Sequence, residues 1–321
     1  MKASYRRHYG GPETLSIKNL PTPEPSDNEL LIRVHASTVN RTDCGVLWGA
    51  PFIFRFFVGF PKPRHVSTGT DFAGIVTAVG KNVTIFKPGD RVFGFNDHGA
   101  ATHAEYVVQK ESSPICLMPY DCSFEDAAAS TEGAHYAWNY IRKAKMKAGD
   151  NVLVYGATGA IGSAAIQILK QYSGATVTAV CNSKNVERIK TLGPDMVIDY
   201  ETEDFTKDQQ RYDHILDAVG KNSFGICKKL LKKKGKYMSS ELGPGNENLY
   251  LPFTTMFASK QMIFPLPNDI KASLQLMHQL LAGKKFKPLI DRSYSLDELA
   301  KAFTYVNSGQ KTGNVLIRMV N

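Results

Sequence analysis

Gly156, Gly159 and Gly162 are spaced like the glycines of a turn that binds a dinucleotide. In such a turn one glycine allows a sharp bend, one lets the backbone approach a pyrophosphate, and one lets a helix pack closely on a strand. A strand-like run, NVLVY at 151–155, precedes them, and an apolar helical stripe follows. The first N–H groups of that helix suit phosphate. We therefore predict a nucleotide site whose contacts include Gly156, Thr158, Gly159, Ala160, Ile161 and Gly162.

The choice between NADH and NADPH depends on residues about twenty positions after the glycines. An NAD-selective site carries an acidic residue there, which binds the ribose hydroxyls. In this chain Asn182, Ser183 and Lys184 occupy the position, and the segment has no carboxylate that would repel a 2′-phosphate. A lysine and a hydroxyl can instead bind that phosphate, so the sequence favours NADPH. The alternative is an ordinary surface turn.

Aromatic side chains crowd into the segment 47–66, LWGAPFIFRFFVGFPKPRHV. Its glycines and prolines predict an irregular loop, and loops rich in aromatics often line an apolar cleft. A role as ordinary core residues is the alternative for these rings. The candidates for a substrate pocket are Trp48, Phe52, Phe54 and Glu132.

Two sequence patterns are expected to position these residues. Up to residue 126, short runs at 29–36, 71–79 and 90–95, with frequent glycine and proline, predict a β barrel or sandwich. Residues 127–267 alternate strands and helices, which predicts a doubly wound parallel sheet. The tail from 268 to 321 is expected to return to the first domain. The predicted fold class is therefore α/β, with domains 1–126 plus 268–321, and 127–267.

The composition is ordinary for a globular protein, with 43% hydrophobic and 21% charged residues among 321. No apolar run reaches the roughly eighteen residues of a membrane span. The basic start, MKASYRRHYGGPETL, is not followed by the apolar core of a signal peptide. We expect a cytoplasmic protein without a membrane partner. The five cysteines are scattered and form no C-x-x-C pair, which argues against a disulfide framework or a zinc knuckle.

The net charge of +9 raises the question of nucleic-acid binding. The densest basic cluster, at 228–236, is predicted to be a solvated helix that ends at Gly235, where cations suit the helix dipole. It lacks the interleaved aromatics of a single-strand binding platform. We therefore expect no nucleic-acid partner.

Motifs along almost the whole chain resemble the medium-chain dehydrogenase/reductase superfamily, in its zinc-independent, quinone oxidoreductase-like (zeta-crystallin-like) branch. They are ELLIRV at 29–34, NRTD at 40–43, KPGDRVFG at 87–94, the glycine turn, VIDY at 197–200 and DAVG at 217–220. The resemblance implies a GroES-like β-barrel domain interrupted by a Rossmann domain, with the active site in the cleft between them. It places Lys184 and Tyr200 around the 2′-phosphate of NADPH. Further candidate cofactor contacts are Asn182, Ser183, Ala218, Val219 and Asn314.

The chain departs from the zinc-containing members of that family. Asn40 stands where those enzymes have their first catalytic cysteine, and Thr70 stands where they have a histidine. The structural zinc lobe with its cysteines is missing, and Cys44 is interpreted as a packing residue. No metal is expected. Without zinc to polarise an alcohol, we expect hydride transfer to a quinone or to the C=C bond of an α,β-unsaturated carbonyl.

The resemblance places Asn40 and residues near His135 close to the nicotinamide. Asn40 is the candidate that hydrogen-bonds the substrate carbonyl as enolate charge develops. The proton donor is left open among His135, Tyr136 and Asp43, and His135 can equally be a structural histidine.

Two other functions stay open at this point. One is an NADP-dependent alcohol or aldehyde dehydrogenase. The other, from a different class, is an NADPH-binding crystallin-like or RNA-binding protein, because a fold alone does not establish chemistry. Family likeness also suggests a homodimer through a sheet edge at 261–265.

Overall fold

Two units divide the chain. Unit 1 comprises residues 1–132 and the residues from 269 onward, and unit 2 comprises residues 133–268. The structure, a computed structural model, describes residues 1–319. The segment 127–132 was expected in the second domain but belongs to unit 1, because the helix at Phe124–Ala129 packs on strands of that unit.

Unit 1 begins with short strands separated by turns, in agreement with the glycine- and proline-rich sequence. Its longest strand alternates inward and outward residues, so that Leu30, Ile32 and Val34 are fully buried. The first part of the unit contains β1 (Lys2–Tyr5), β2 (Ser16–Asn19), β3 (Glu29–Val39), α1 (Arg41–Trp48), α2 (Arg55–Val58), β4 (Asp71–Val79), β5 (Arg91–Phe95), β6 (Tyr106–Lys110), β7 (Ile115–Leu117) and α3 (Phe124–Ala129).

Unit 2 alternates helices and strands. It contains α4 (Glu132–Ala144, whose first residue belongs to unit 1), β8 (Asn151–Tyr155), α5 (Ala160–Ile168), β9 (Thr176–Cys181), α6 (Val186–Lys190), β10 (Met196–Asp199), β11 (Tyr212–Asp217), α7 (Phe224–Cys227), β12 (Leu231–Ser239), α8 (Leu251–Thr254) and β13 (Gln261–Ile263). All these strands run parallel in the order β10-β9-β8-β11-β12-β13. Counted along the chain this is the order 3-2-1-4-5-6 of a Rossmann sheet, so the predicted parallel sheet is confirmed.

The tail returns to unit 1. It contains α9 (Ile270–Ala282), β14 (Ile290–Ser295), α10 (Leu299–Asn307) and β15 (Asn314–Arg318). β15 pairs antiparallel with β3, which gives the sheet order β14-β15-β3-β4-β5-β7, with β6 also on β3. One apolar core, which includes Phe72, Phe303 and Cys44, joins the tail to the early strands.

Shorter helical turns complete the description. A π-helical turn at Leu169–Ser173 extends α5, and 3-10 turns lie at Pro12–Thr14, Phe52–Phe54, Ser183–Asn185, Phe205–Lys207, Lys228–Leu230, Pro244–Leu249 and Leu296–Glu298. No helix in the described part of the chain has both the length and the apolar character needed to cross a membrane.

The prediction of a lysine-rich helix at 228–236 was wrong. Most of this segment is β12, which pairs with β11 on one side and β13 on the other. Lys232 bonds Asp213 at 2.7 Å, and Lys236 donates to the Ala144 carbonyl at 3.1 Å. Sheet pairing and these tertiary contacts override the helical preference of consecutive lysines and leucines.

Candidate active site and cofactor site

The three glycines of the turn in unit 2 differ in what a Cβ at each position would contact. Gly156 has a φ of +79°, and a Cβ there would lie 2.7 Å from Val219 Cγ1. A Cβ on Gly162 would lie 2.2 Å from the Gly156 carbonyl oxygen, so close packing of α5 on β8 requires glycine. A Cβ on Gly159 would meet no protein atom closer than 3.6 Å. The space above Gly159 is open, as a position approached by a ligand requires.

The helix that follows the turn begins without a capping side chain. Gly159 is the N-cap of α5 and has no side-chain hydrogen bond to offer the first N–H groups. Thr158 and Ile161 are half-buried, whereas Ala160 and Gly162 are buried. Uncapped N–H groups and an open glycine fit a pyrophosphate, so these residues suit the phosphates of a dinucleotide.

Asp217 fixes the second loop at the same edge of the sheet. Its Oδ1 accepts hydrogen bonds from the N–H groups of Val219 at 3.1 Å and Gly220 at 2.8 Å. Its Oδ2 accepts from the Asn222 N–H at 3.0 Å and the Tyr237 hydroxyl at 2.9 Å. Burial raises the pKa of Asp217, and these donors act against that shift. The carboxylate thus holds the backbone of the predicted contacts Ala218 and Val219 beside the glycine turn.

The turn at 182–185, predicted to bind the adenosine end of the cofactor, is more acidic than the sequence indicated. Ser183 donates its hydroxyl to Asp199 Oδ2 at 2.6 Å and its N–H to Glu201 Oε2 at 3.0 Å. The expectation that no carboxylate lies near this turn was therefore wrong. Parallel pairing of β10 with β9 brings the later residues to the end of β9, which a search of the segment 182–185 alone cannot detect.

The side chains of Lys184 and Tyr200, the residues predicted to bind the 2′-phosphate, are accessible to solvent. Lys184 is exposed and makes no hydrogen bond or ion pair within residues 1–319. Tyr200 is half exposed, and its N–H donates to the Cys181 carbonyl at the end of β9. Asn182 is engaged locally, because its Oδ1 accepts from the Asn185 side chain at 2.6 Å. Lys184 thus presents an exposed cation next in sequence to Ser183, which bonds the two carboxylates.

Unit 1 contains a group of polar side chains that bond one another, and we call it the polar cluster. It is built where β3 ends, α1 begins, β4 begins and α3 ends, and the segment before β15 completes it. Its members are Thr38, Asn40, Thr42, Asp43, Thr70, Asp71, Thr131, Glu132 and Lys311. The structure thus brings together three residues predicted from the sequence, Asn40, Asp43 and Glu132.

Asn40 uses both ends of its amide inside this cluster. Its Nδ2 donates to Thr38 Oγ1 at 2.6 Å, and its Oδ1 accepts from Lys311 Nζ at 3.3 Å. Its backbone N–H donates to Asp43 Oδ2 at 2.8 Å, which caps the first turn of α1. Asn40 is only 3% exposed. These contacts orient the amide inward.

Buried carboxyl groups give the polar cluster its electrostatic character. Glu132 accepts from Thr42 Oγ1 at 2.8 Å and lies 3.5 Å from Thr70 Oγ1. Burial raises the pKa of Glu132 to about 7, while the Thr42 bond and Lys311 lower it and Asp71 raises it. Burial and the neighbouring Glu132 and Asp71 raise the pKa of Asp43 as well. Like charges this close cannot all ionise easily, so the cluster retains a proton near neutral pH.

Asp71 has a structural place in the cluster. Its Oδ1 accepts from the Thr38 N–H at 2.7 Å, and its Oδ2 accepts from the Thr38 and Thr131 hydroxyls. Burial raises its pKa, against which these hydrogen bonds act. Asp71 therefore ties the end of β3 to the start of β4 and to the segment after α3.

The remaining predicted residues lie elsewhere. His135 is 1% exposed in α4 of unit 2, where Asn139 Nδ2 donates to its carbonyl at 2.9 Å and contacts its ring at 3.3 Å. Tyr136 is half-buried beside it, with ring centroids 5.7 Å apart. Asn314, at the start of β15 in unit 1, bonds the Leu289 carbonyl through its N–H at 2.7 Å and its Nδ2 at 3.2 Å. A role for these residues in proton transfer or cofactor binding stays a prediction.

The aromatic segment forms an exposed surface of unit 1. It contains two helical turns, Phe52–Phe54 and α2, where an irregular loop was expected. The rings of Phe52, Phe56 and Phe60 contact one another with centroids 5.3–6.1 Å apart, and each is more than half exposed. Trp48 is 41% exposed and Phe54 is half-buried. Glu132, predicted beside these rings, lies in the polar cluster.

Lys311 is the functional candidate that sequence reasoning missed. It lies in a loop before the last strand, 271 positions from Asn40, and its neighbours do not distinguish it from other surface lysines. Thr38 and Thr42 were missed for the same reason, because a lone threonine carries no pattern. Only the pairing of β15 with β3 places the loop of Lys311 beside Asn40.

The donor set of the polar cluster does not fit zinc. No group of three or more His, Cys, Asp or Glu side chains among residues 1–319 is arranged to hold a metal ion. Asn40 and Thr70 offer an amide and a hydroxyl, which are poor zinc donors beside cysteine and histidine. The Asn40 Oδ1 atom already accepts a hydrogen bond from the Lys311 ammonium.

Two family models match this chain. An alcohol dehydrogenase GroES-like domain matches residues 26–137, and a zinc-binding dehydrogenase domain matches residues 192–317. The chloroplastic quinone-oxidoreductase QR1 of Triphysaria versicolor is 30% identical over 326 residues, which cover 98% of this chain and 96% of that protein. The chloroplastic NADPH-dependent alkenal/one oxidoreductase of Arabidopsis thaliana is 26% identical over 328 residues, covering 99% and 79%.

Solved structures agree with the sequence comparison. The quinone oxidoreductase from Coxiella burnetii superposes with a TM-score of 0.85 at 28% identity, over 100% of this chain and 99% of that one. The GroES-like and Rossmann domains inferred from the motifs are therefore confirmed. The chain belongs to the medium-chain dehydrogenase/reductase family of oxidoreductases, in its quinone oxidoreductase-like branch.

Proposed function

We propose that this oxidoreductase, which binds a nicotinamide cofactor and a small-molecule substrate, uses NADPH to reduce a quinone or the C=C bond of an α,β-unsaturated carbonyl without a metal. The observation that carries the proposal is the polar cluster, in which an ammonium bonds Asn40 and an acid with a pKa of about 7 lies nearby. Such groups can stabilise an oxyanion and supply a proton, which reduction of these acceptors requires. The relatives named for quinones and for alkenals or alkenones support the same substrate classes.

A bound nicotinamide supplies the hydride. The residues of this chain bind and orient the reactants. Gly159 and the start of α5 suit the pyrophosphate, and Asp217 holds the loop of Val219 in place. In unit 1 the polar cluster provides hydrogen-bond donors and a retained proton. The exposed rings of Phe52, Phe56 and Phe60 offer an apolar surface that suits the carbon skeleton of a quinone or enone.

The preference for NADPH over NADH is also part of the proposal. It rests on Lys184, whose ammonium is free within the described residues, and on Tyr200, which is half exposed and bonds the end of β9. We expect Lys184→Asp to raise the KM for NADPH far more than the KM for NADH, because only NADPH carries the 2′-phosphate. Equal effects on both cofactors would contradict this assignment.

The proposed function is tested by measuring NADPH oxidation with a panel of quinones, enals, enones, saturated aldehydes and alcohols. The same sample is assayed for metal and treated with a chelator. We expect turnover with quinones or conjugated carbonyls that survives chelation. Activity only with saturated aldehydes or alcohols, or activity lost on chelation and restored by zinc, would instead identify a metal-dependent alcohol dehydrogenase.

Two further expectations stay proposals. β13 is an edge strand of the unit 2 sheet, and Phe253 and Phe257 near it are 77% and 92% exposed, which supports a homodimer through this edge. Light scattering after size exclusion, with Phe257→Ser as the comparison, tests it. A cytoplasmic location is the second, to be checked by cell fractionation.

A further inference from the structure

We propose that Lys311, and not Asn40, is the catalytic donor that stabilises the negative charge on the substrate oxygen during reduction. Asn40 then acts as a positioning residue that holds the ammonium. This inference rests on the proposed function, because it assigns a role within the same reaction. The geometry of the polar cluster carries it.

The chemistry of its neighbours fixes the direction of the Asn40 amide. Thr38 donates its hydroxyl proton to Asp71 Oδ2, so Thr38 Oγ1 can only accept from Asn40. Lys311 has no acceptor, so the atom of Asn40 that it contacts must be the oxygen. A flipped amide would place donor against donor at one end and acceptor against acceptor at the other. Asn40 is 3% exposed, so its amide nitrogen is directed into the protein and not toward a substrate.

Lys311 has the donor that Asn40 lacks. Its Nζ donates to Asn40 Oδ1 at 3.3 Å and to the Gly313 carbonyl at 2.8 Å. An ammonium has three N–H groups, and no further acceptor bonds this one within residues 1–319. The Lys311 side chain is half-buried, so it is partly accessible to solvent and partly fixed by its surroundings.

The loop around Lys311 is held in place on both sides. The Thr312 N–H donates to Asp291 Oδ2 at 2.9 Å. Gly313 has a φ of +79°, and a Cβ there would lie 2.1 Å from the Leu289 carbonyl oxygen. A donor held before the reaction begins stabilises developing charge without reorganising, which is what makes such groups effective.

The charges around Lys311 favour its protonated form. Burial lowers the pKa of the ammonium, and the largest opposing influence is Glu132, with Cys44 and Asp291 acting in the same direction and Arg41 against it. In turn, Lys311 lowers the pKa of Glu132. The two groups thus stabilise each other's ionised forms.

During the proposed reaction, negative charge develops on the substrate oxygen, and the Lys311 ammonium can stabilise it. When hydride adds to the β carbon of an enone, a new C–H bond forms there. The electron pair of the C=C bond moves between the α carbon and the carbonyl carbon, and the carbonyl π pair moves onto oxygen. The oxygen carries a full negative charge until a proton, held by Glu132 or taken from water, adds to the α carbon and the carbonyl forms again. A quinone similarly yields a hydroquinone anion, which takes up a proton.

Kinetics of matched variants give the first test. We expect Lys311→Met to lower kcat by about 100- to 1000-fold, the usual effect of losing one oxyanion donor, with NADPH affinity within about twofold. Lys311→Arg should retain more activity because it keeps the charge. Lys271→Met, an exposed lysine of unit 1, is the control. A kcat of Lys311→Met within threefold of wild type would overturn the proposal.

Binding of 4-nitrophenol with NADP present gives a test that does not depend on turnover. Its anion resembles the charged oxygen of the reaction and is recognised by its absorbance. We expect the wild type to bind phenolate at least tenfold more tightly than phenol, and Lys311→Met to lose this preference. Methylamine should partly restore kcat in Lys311→Ala if the ammonium itself acts.

Failure of the proposed reaction and failure of the role of Lys311 give different results. A wild type that reduces neither quinones nor enones would refute the proposed function, whereas the phenolate titration would still report on Lys311. Equal phenolate preference in the wild type and Lys311→Met, or the absence of any preference in the wild type, would overturn the role of Lys311. Loss of the preference in Asn40→Ala but not in Lys311→Met would return the donor role to Asn40.

Discussion

The glycine turn of unit 2 and the polar cluster of unit 1 are built in opposite ways. The turn is a single stretch of sequence, Gly156 to Gly162, in which Gly156 has a positive φ, Gly162 packs against the Gly156 carbonyl oxygen, and Gly159 leaves open space. The polar cluster collects residues from four stretches of the chain, and its hydrogen-bonded pair Asn40 and Lys311 is 271 positions apart. One site is therefore specified by neighbouring residues and the other by the topology of the sheet.

This difference has a physical consequence. A contiguous turn loses stability and binding when its own backbone geometry is disturbed. An assembled cluster instead depends on buried charges that balance one another, so it responds to pH and to the loss of single partners. The predictions below test this contrast.

The largest effect is expected at the glycine whose missing Cβ is needed for packing. A methyl group in Gly162→Ala would lie 2.2 Å from the Gly156 carbonyl oxygen and 2.9 Å from Ala157 Cα, so the backbone must move. We expect a loss of at least about 3–4 kcal/mol in the free energy of unfolding. NADPH affinity should fall by more than about 100-fold, as measured by fluorescence titration.

Gly159→Ala is the matched comparison for this change. The nearest protein atom to its methyl group is 3.6 Å away, and its φ of −73° suits alanine. We expect a stability loss of about 1 kcal/mol or less, because only the N-cap preference changes. NADPH affinity should nevertheless fall about tenfold or more, since the methyl group occupies the space proposed for the pyrophosphate. Unchanged affinity in Gly159→Ala would show that the phosphates do not approach this glycine.

The second-largest effect is expected at Asp217, also in unit 2. Asp217→Ala leaves the N–H groups of Val219, Gly220 and Asn222 without their acceptor. Leaving buried donors unpaired in this way should cost about 3 kcal/mol in the free energy of unfolding, measured by chemical denaturation. Asp121→Ala, at an exposed position whose side chain makes no hydrogen bond within residues 1–319, serves as the control. Equal effects of the two substitutions would mean that the Asp217 loop is not held as the structure shows.

Sequence reasoning succeeded for elements that neighbouring residues specify. The strand, turn and helix around 156–162 and the parallel sheet follow from local patterns, because the strand-turn-helix unit buries its own apolar face. It failed at 228–236, where pairing with β11 and β13 decides the conformation. It also missed Lys311, since the partners that distinguish this lysine are remote in the sequence. Asn40 was recognised by family likeness, but the direction of its amide depends on Thr38 and Lys311.

The third prediction concerns the pH dependence of stability, which we attribute to the polar cluster. The pKa of Glu132 is raised from 4.5 to about 7 by burial. Between these values the unfolded chain releases the proton and the folded chain retains it, so folding becomes less favourable as pH rises. Below pH 4.5 both states hold the proton, and above pH 7 both release it. The stability contributed by protonated Glu132 is therefore lost between pH 4.5 and 7.

Glu132→Gln removes this titration and keeps an acceptor for the Thr42 hydroxyl. The difference in unfolding free energy between wild type and variant should change by about 2 kcal/mol from pH 4.5 to pH 7, to the disadvantage of the wild type. Denaturant titrations at several pH values measure it. Glu187→Gln, on the surface of unit 2, is the control. A difference that does not vary with pH would show that Glu132 is not the group holding the proton.

The smallest effect is expected at Glu201, where the contrast between the two sites becomes less sharp. Its carboxylate accepts from the Ser183 N–H, 18 positions earlier, so the region proposed for the adenosine end is also assembled by sheet pairing. Glu201→Gln keeps this hydrogen bond but removes a negative charge from the region proposed for the 2′-phosphate. We expect the KM for NADPH to fall about threefold, an exposed-charge effect of under 1 kcal/mol, and the KM for NADH to stay constant. Glu203→Gln, an exposed neighbour, controls for the general loss of charge. Equal shifts for both cofactors would place the carboxylate away from the phosphate and leave selectivity to Lys184 alone.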